Sequence, residues 1–173
     1  AVASGSTTLY QCAINLKRAY LPNLTVVSLT GSMPSSPSLP YTIVHIMGKA
    51  WNSNVVNLPA PNFVDRLEIK QTLMSDSSID SVIKLGHRAN IAVFGIGVIS
   101  EASSPYRLGY LQYDLLETVK QEGGVGEICG HAYNLNGEVC SPELSDRTIA
   151  IEPNALRSKE LSVATAGGVW KVD

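Results

Sequence analysis

Hydrophobic and polar positions along the chain predict strands that alternate with helices. Residues 8–20 carry apolar side chains at the i, i+3, i+4, i+7 spacing of an amphipathic helix, namely Leu9, Cys12, Ala13 and Leu16. The next apolar run, Thr25–Leu29, is continuous and β-branched. A run of that kind is typical of a strand buried on both faces.

The same alternation continues toward the carboxyl end. Further strands are predicted at residues 54–58, 91–99, 147–151 and 161–166. Further helices are predicted at residues 40–50, 62–74, 77–88 and 113–121. Asp76 or Ser77 is expected to cap the third of these helices. The run at 91–99 is the most hydrophobic, so we expect it near the centre of the sheet, whereas the proline-rich segment 31–40 predicts a loop.

The segment GEICGHAYNLNGEVCS has a different pattern of apolar and polar residues. Its apolar and polar residues alternate around Asn136–Gly137, a pair that favours the tight turn of a β-hairpin. Strands alternating with helices, followed by a late hairpin, predict an α/β fold. The expected architecture is a mostly parallel open sheet with helices on both faces.

Length and composition predict one soluble domain. The chain has 173 residues, of which 45% are hydrophobic, and its mean hydropathy is +0.09. The net charge of −2 argues against a nucleic-acid surface, because phosphate binding needs a clustered positive excess. No apolar run approaches the roughly 18 residues that span a bilayer. The chain opens on a short apolar run and closes soon after a Gly-Gly turn, so we expect a domain truncated at both ends.

Cysteine and histidine positions favour neither a disulfide framework nor a structural zinc. These residues are scattered and lack ligand spacing: Cys12, Cys129, Cys140, His45, His87 and His131. The cysteines are expected to be buried small apolar residues in a reducing cytoplasm. A Cys129–Cys140 disulfide is the alternative.

The first candidate site is the turn Ser4–Thr8, between the opening strand and the first helix. Ligands in open α/β sheets bind at the carboxyl ends of the strands, and a helix N-terminus attracts anions. The alternative is simple capping of that helix by Ser6 or Thr7. The turn is neither a P-loop nor a dinucleotide fingerprint.

Two more glycine turns are predicted at the same edge of the sheet. Phe94–Gly97 ends the hydrophobic strand, and its glycines permit close approach of a ligand or simply a tight strand exit. Ala166–Gly168 precedes Lys171, which is in position to reach a phosphate or, if desolvated, to form a Schiff base. A solvated lysine is the alternative.

Glu127 is the candidate acceptor of sugar hydroxyls, since a carboxylate accepts hydrogen bonds strongly. His131 lies four residues further on, and even spacing in one strand predicts that both side chains share a face. An exposed strand face is the commoner setting for such residues. The neighbours Asp146 and Arg147 are expected to form a surface ion pair.

The motifs occur in a characteristic order: SGSTTL, LTGSM, LPAP, FGIGV, GYL, GEICGHAYNLNG, DRTIAI and SVATAGGVWK. This series, from Ala1 to Lys171, resembles the effector-binding domain of the SorC/DeoR-type bacterial sugar regulators. The resemblance implies the fold of glucosamine-6-phosphate deaminase and ribose-5-phosphate isomerase. It also implies a cytoplasmic sugar-phosphate sensor that works as a dimer or tetramer and reaches DNA only through an N-terminal helix-turn-helix domain absent from this chain.

The resemblance assigns ligand-binding positions to Gly5, Ser6, Thr7 and Thr8 in the phosphate loop, to Gly31, to Gly95 and Gly97 beside the ligand, to Glu127 at the hydroxyls, and to Lys171. Segment 30–32 stands where some members that bind bisphosphorylated sugars have an arginine. This departure favours a sugar that is monophosphorylated or unphosphorylated.

The expected function is therefore ligand sensing in a regulator of carbohydrate metabolism, without catalytic residues, cofactor, metal or membrane contact. The alternative is a sugar-phosphate isomerase or deaminase on the same fold. Related deaminases carry an Asp-Gly-His constellation after the glycine turn, where this chain has residues 98–102, Val-Ile-Ser-Glu-Ala. Because the Asp and His of that constellation are missing here, the isomerase or deaminase function is disfavoured.

Overall fold

The computed structural model of the chain describes residue 2, residues 6–33, residues 42–168 and residue 171. Its helices are α1 (Thr7–Ile14), α2 (Thr42–Trp51), α3 (Leu67–Met74), α4 (Ser77–Arg88), α5 (Ser104–Arg107), α6 (Tyr113–Gln121), α7 (Pro142–Asp146) and α8 (Pro153–Arg157). Its strands are β1 (Thr25–Val27), β2 (Asn54–Val56), β3 (Ile91–Gly95), β4 (Gly97–Val98), β5 (Gly126–Ile128), β6 (His131–Tyr133) and β7 (Leu161–Thr165).

Two parallel strand pairs form the main sheet, and one residue joins them. Strand β1 pairs with β2, and β3 pairs with β7 in a register that sets Ile91 opposite Leu161. Val2 makes parallel bridges to both Ser28 and Val93. The resulting order is β2, β1, Val2, β3, β7, so β3 has a parallel neighbour on either side. The mostly parallel sheet is thereby confirmed, whereas of the expected opening strand only Val2 lies among the described residues, as a bridge between the two strand pairs.

Helices cover this sheet on both faces, as the sequence predicts. Successive residues of a strand point to opposite faces. In β1, Val26 packs with the cluster of α1 and α2, whereas Val27 packs with the cluster that contains α4. Each of these two side chains is at most 2% exposed, so the α/β fold buries both faces of β1.

A second, antiparallel sheet consists of β4, β5 and β6. The hairpin between β5 and β6 turns at Cys129–Gly130, where both residues have positive φ (56° and 86°). The expected turn at Asn136–Gly137 follows as a further reversal, in which Gly137 N donates to Asn134 O at 2.9 Å. The hairpin predicted around Asn136–Gly137 is thus confirmed, since Tyr133 forms an antiparallel bridge with Val139 across that turn, whereas the preceding reversal at Cys129–Gly130 was not predicted.

The run 91–99 is two strands rather than one, which corrects the prediction. Strand β3 ends at Gly95, and Ile96 N still donates to Thr165 O at 2.9 Å. Strand β4 then leaves the parallel sheet and pairs antiparallel with β5. The run 91–99 is apolar throughout because β3 and β4 both pack toward the interior of the protein, although they belong to different sheets.

Three other predicted elements are shorter or different. Helix α1 ends at Ile14, and the chain after it hydrogen-bonds to the end of α2 through Ala19 N and Leu21 N. Helix α3 begins at Leu67, since residues 62–64 pair with the segment 147–151 instead. That segment makes only isolated antiparallel bridges, so it is not a strand. Asp76 caps α4 by accepting from Ser78 N at 2.9 Å, as expected.

All three cysteines are free thiols, which excludes the Cys129–Cys140 pairing in this structure. Cys129 is buried, as expected, but Cys12 is exposed and Cys140 is half-buried. Cys12 lies on the outer side of α1, because Leu9 and Ala13 supply the buried face of that short helix. No described helix has the length and apolar character to cross a membrane.

Candidate functional site

The start of α1 lies at the carboxyl edge of the parallel strands. Ser6 is its N-cap, and the Ser6 Oγ accepts a hydrogen bond from Leu9 N at 3.1 Å. The capping role of Ser6 is therefore confirmed. The backbone N–H groups of Thr7 and Thr8 belong to the first turn, where a helix leaves its donors without intrahelical partners. Gly5 lies outside the described residues.

Gly95, at the end of β3, lies directly under Ser6. A Cβ on Gly95 would overlap the Oγ and Cβ atoms of Ser6, although the Ser6 Cα would stay 3.7 Å away. Glycine is therefore required here for close packing of the helix start on the strand end. This contact joins the first two predicted turns.

Gly167, just after β7, meets the same helix start. A Cβ on Gly167 would lie 3.0 Å from Thr8 Oγ1. The third predicted turn thus touches the first one. Three loops that are distant in sequence meet around the N-terminus of α1.

Lys171 reaches across the end of β3. Its backbone N–H donates to Gly168 O at 3.2 Å, and its Nζ donates to Ile96 O at 2.5 Å. The ammonium group is therefore held between the two glycines of the Gly95–Ile96–Gly97 turn. This position provides a positive charge beside the end of β3, close enough to act on the carboxylate of Glu127.

Glu127 completes the group from the neighbouring antiparallel sheet. It lies opposite Gly97 in the register of β4 and β5, and a Cβ on Gly97 would be 3.3 Å from the Glu127 Cδ. The Glu127 Oε1 accepts a hydrogen bond from Gly130 N. Burial raises the pKa of Glu127, while this hydrogen bond and the charge of Lys171 act in the opposite direction.

A small, mostly apolar recess adjoins Glu127. Its lining residues come from six separate segments: Phe63, Val98, Ile99, Ser103, Pro105, Leu111, Glu127, Gly130 and Leu144. Apart from Glu127 these residues were not anticipated from the sequence. Their apolar members carry the same pattern as ordinary core positions, so no sequence signal distinguishes them.

Gly31 and His131 pack against other segments of the described chain. Gly31 packs against backbone atoms of Ala60 and Pro61, and its N–H donates to Ile149 O at 3.0 Å. Its visible role is close loop packing. His131 is only 3% exposed and its Nδ1 lies 3.5 Å from Ser145 Oγ.

The expectation that Glu127 and His131 share a strand face is wrong. The turn at 129–130 places them on different strands, with His131 opposite Ile128 and Glu127 opposite Ala132. In an antiparallel pair, directly opposite residues share a face. Glu127 and His131 therefore point to opposite sides of the hairpin. The expected Asp146–Arg147 pair is likewise replaced by an Arg147 Nε bond to Val64 O at 2.9 Å.

This arrangement can hold an anionic, hydroxyl-bearing small molecule. Backbone donors and the Lys171 ammonium suit an anion, whereas the carboxylate oxygens of Glu127 accept from hydroxyl groups. In the described part of the chain, no cluster of three or more His, Cys, Asp or Glu side chains is placed to hold a metal ion.

Comparison with known proteins places the chain in a family. A family model described as "Putative sugar-binding domain" matches residues 1–173. The deoxyribonucleoside regulator of Bacillus subtilis is 33% identical over 171 residues, which cover 98% of this chain and 54% of that protein. The erythritol catabolism regulatory protein EryD of Brucella abortus is 29% identical over 161 residues, 91% of this chain and 50% of that protein. The chain thus spans about half the length of these relatives.

Solved structures share the fold. A DeoR family transcriptional regulator from Listeria monocytogenes superposes with a TM-score of 0.89 at 22% identity, over 98% of this chain and 67% of that one. The full-length sorbitol operon regulator SorC from Klebsiella pneumoniae gives a TM-score of 0.86 at 19% identity, over 98% and 56% of the two chains. These likenesses confirm the predicted α/β architecture.

Proposed function

The chain belongs to the family described as "Putative sugar-binding domain", and we propose that it is the effector-binding domain of a transcriptional regulator of carbohydrate metabolism. The relatives that match most of the chain are named as regulators. Their other half would correspond, in the whole protein, to a separate DNA-binding domain. The effector acts through different affinity for two states of that protein.

The convergence of three loops and two opposite charges carries this proposal. Ser6–Thr8, with Gly5 preceding them, supply donors for a phosphate, and Lys171 adds charge from the other side of the Gly95–Gly97 turn. Glu127 accepts from the sugar hydroxyls. Gly31, whose backbone packs against Ala60 and Pro61, is a further ligand-binding position in this proposal. The ligand class is a monophosphorylated sugar.

The alternative, a sugar-phosphate isomerase or deaminase, would need an acid–base set at this edge. Glu127 is one titratable group, but His131 lies on the other side of the hairpin. The matching relatives named above are regulators. These observations support a binding function, and we expect incubation with sugar phosphates to yield no product. Steady product formation would instead support the isomerase or deaminase function.

Replacing Thr7 by alanine together with Thr8 by valine tests the phosphate loop. Binding of a ligand to the folded state raises Tm, so a thermal-shift screen against matched phosphorylated and unphosphorylated sugars measures the effect. We expect the shift for phosphorylated sugars to become smaller in this variant, because two hydroxyl donors are lost while the backbone N–H groups remain, with Tm of the free protein within a few degrees of wild type. Thr72→Val, at an exposed position of α3, is the matched control and should behave as wild type. An unchanged shift would remove the phosphate-loop assignment.

Lys171→Met tests the charge at the other side of the site. Loss of the ammonium group should weaken binding of phosphorylated sugars more than binding of their unphosphorylated counterparts. Titration calorimetry with each member of a pair measures the two affinities. Equal loss for both ligands would contradict a phosphate role for Lys171.

A further inference from the structure

Three residues other than glycine have positive φ in the described part of the chain, and one of them adjoins the candidate site. These residues are Asn52, Cys129 and Ser141, with φ of 49°, 56° and 59°. The left-handed conformation is uncommon for a residue with a Cβ, and it persists only where the surrounding structure enforces it. Conformations of this kind cluster at ligand sites. Cys129 follows β5 directly and stands two residues after Glu127.

The thiol of Cys129 does not explain this conformation. The side chain is 5% exposed and belongs to the apolar cluster that contains Ala92 and Ile149. Burial raises the pKa of the thiol, so the group stays neutral and is a poor nucleophile and metal ligand. The side chain thus anchors the turn in the core, and the left-handed backbone acts through the residues around it.

The conformation of Cys129 turns the next N–H group onto Glu127. The Gly130 N–H donates to Glu127 Oε1, a carboxylate oxygen three residues earlier in the chain. In a continuous strand, residues 127 and 130 would lie about 10 Å apart, since each residue advances the chain by about 3.3 Å. The bond therefore depends on the reversal at residues 129 and 130. A hydrogen bond from a backbone N–H to a carboxylate is among the stronger ones in proteins.

Gly130 is held from its carbonyl side as well. Its oxygen accepts a hydrogen bond from Thr148 Oγ1 at 3.1 Å, and the same hydroxyl lies 2.8 Å from Leu144 O. Thr148 is completely buried. A Cβ on Gly130 would lie 2.8 Å from Thr148 Cγ2, so the turn packs closely against this side chain. The N–H that faces Glu127 thus belongs to a residue with little freedom to move.

The two oxygens of the Glu127 carboxylate consequently face different surroundings. Oε1 is occupied by the Gly130 N–H, whereas Oε2 lies over Gly97, where a Cβ would overlap it. Gly97 adjoins Ile96, whose carbonyl oxygen accepts from Lys171 Nζ. The charge of Lys171 also acts on the Glu127 carboxylate. Oε2 is therefore the oxygen on the side of the lysine.

We propose that Cys129 is a positioning residue of the effector site, which fixes Glu127 through Gly130 so that Oε2 accepts from a hydroxyl group of the ligand. This inference rests on the proposed function, because it requires that Glu127 binds the sugar. Cys129 acts through its backbone and not by contact with the ligand. Its contribution is to order a long acidic side chain before the ligand arrives, which reduces the conformational entropy lost on binding.

Two substitutions at residue 129 separate backbone conformation from stability. Cys129→Gly loses the buried side chain but adopts positive φ freely, whereas Cys129→Val keeps an apolar side chain but is β-branched and opposes positive φ. Both variants should unfold at lower urea concentration than wild type. Only Cys129→Val should weaken binding, by roughly tenfold, as expected when a hydrogen bond to a charged group is broken. Titration calorimetry against ribose 5-phosphate, fructose 6-phosphate and glucose 6-phosphate measures the affinities.

Two further variants complete the comparison. Thr148→Val removes the donor to Gly130 O without changing residue 129, so it should weaken binding even if Cys129→Val does not fold. Asn52→Val opposes positive φ at an exposed position after α2 and is the matched control. It should lower stability and leave the affinity for each sugar phosphate unchanged.

A measurement without ligand separates failure of this inference from failure of the proposed function. In wild type and Cys129→Gly, the Gly130 amide resonance of a proton–nitrogen NMR spectrum should shift as Glu127 titrates. In Cys129→Val and Thr148→Val it should not, and Glu127 should titrate at higher pH, because the bond from Gly130 lowers its pKa. The other titratable groups that interact with Glu127 are Lys171, Cys129 and Tyr133. Burial raises the pKa of the thiol and of the phenol, so neither titrates together with Glu127.

Equal loss of affinity in Cys129→Gly and Cys129→Val would overturn the inference, because the side chain and not the backbone conformation would then matter. So would wild-type affinity in Cys129→Val. A Gly130 resonance that does not follow Glu127 in wild type would overturn it whether or not a sugar binds. If none of the three sugar phosphates binds wild type while Gly130 follows Glu127, the turn does fix the carboxylate and it is the proposed function that fails.

Discussion

Replacing Gly95 by alanine would place a methyl group in the space of the side chain that begins α1. The new Cβ overlaps the Oγ and Cβ atoms of Ser6, while the Ser6 Cα stays at an ordinary 3.7 Å. Only the serine side chain therefore has to move. Moving it also breaks the bond between Ser6 Oγ and Leu9 N, which caps the helix.

The cost of Gly95→Ala follows from these two effects. Loss of a serine N-cap costs about 1 kcal/mol, and displacement of a packed side chain costs about 1–3 kcal/mol. The variant should therefore be about 2–4 kcal/mol less stable than wild type. For a chain of this length, that loss lowers Tm by roughly 5–15 °C.

A double-mutant cycle with Ser6→Gly isolates the overlap. Glycine at an N-cap costs only a few tenths of a kcal/mol relative to serine, so Ser6→Gly alone should be nearly neutral. Because it removes the overlapping atoms, it should restore most of the stability lost in Gly95→Ala. Urea unfolding followed by circular dichroism gives the four free energies. If the two changes simply add, Gly95 does not pack on Ser6 and the reasoning is wrong.

Two pH effects of opposite sign are also expected. Burial lowers the pKa of His131 from 6.5 to about 4, so about 3 kcal/mol of stability present above pH 6.5 is lost as the pH falls toward 4. His131→Phe should flatten that part of the unfolding profile, and a slope equal to that of wild type would contradict the burial argument. Burial raises the pKa of Glu127, so the folded state holds its proton more tightly and stability falls as the pH rises above 4.5. Glu127→Gln should remove this decline, and parallel profiles for the two proteins would refute the assignment.

Helix α6 illustrates how far periodicity alone predicts the fold. Its bounds, Tyr113–Gln121, are those expected from the sequence. Leu115, Leu116 and Val119 form its buried face. Because the apolar side chains of this helix form one stripe among polar residues, only that face can be buried against the core. The alternation of such segments with β-branched runs was enough to predict helices on both faces of a parallel sheet.

Pairing between distant segments was not predictable in the same way. The run 91–99 is apolar throughout, so nothing in its pattern marks the change of sheet after Gly95. Segment 147–151 has the composition of a strand, yet it is occupied by pairing with residues 62–64 and with Thr30. Which partner a strand finds depends on the whole sheet rather than on its own residues.

In the candidate site, too, local features could be predicted from the sequence, whereas the relation between distant residues could not. Its glycine turns and Lys171 were predicted, because small residues after strands and a nearby cation are visible in the sequence. The relation of Glu127 to His131 was not, since a turn with positive φ at Cys129 inverts the expected facing. A non-glycine residue rarely adopts that conformation, so alternation favoured one continuous strand.

Val2 is a mechanical link between the two strand pairs of the main sheet. Its N–H donates to Val27 O at 2.7 Å, its carbonyl accepts from Leu29 N at 2.8 Å, and it bridges Val93 on the other side. Polypeptide attached upstream therefore enters through the middle of the sheet, four residues before the capping Ser6. A pull applied there is transmitted through backbone hydrogen bonds to the β1 side and through a bridge to β3, so it loads both strand pairs at once.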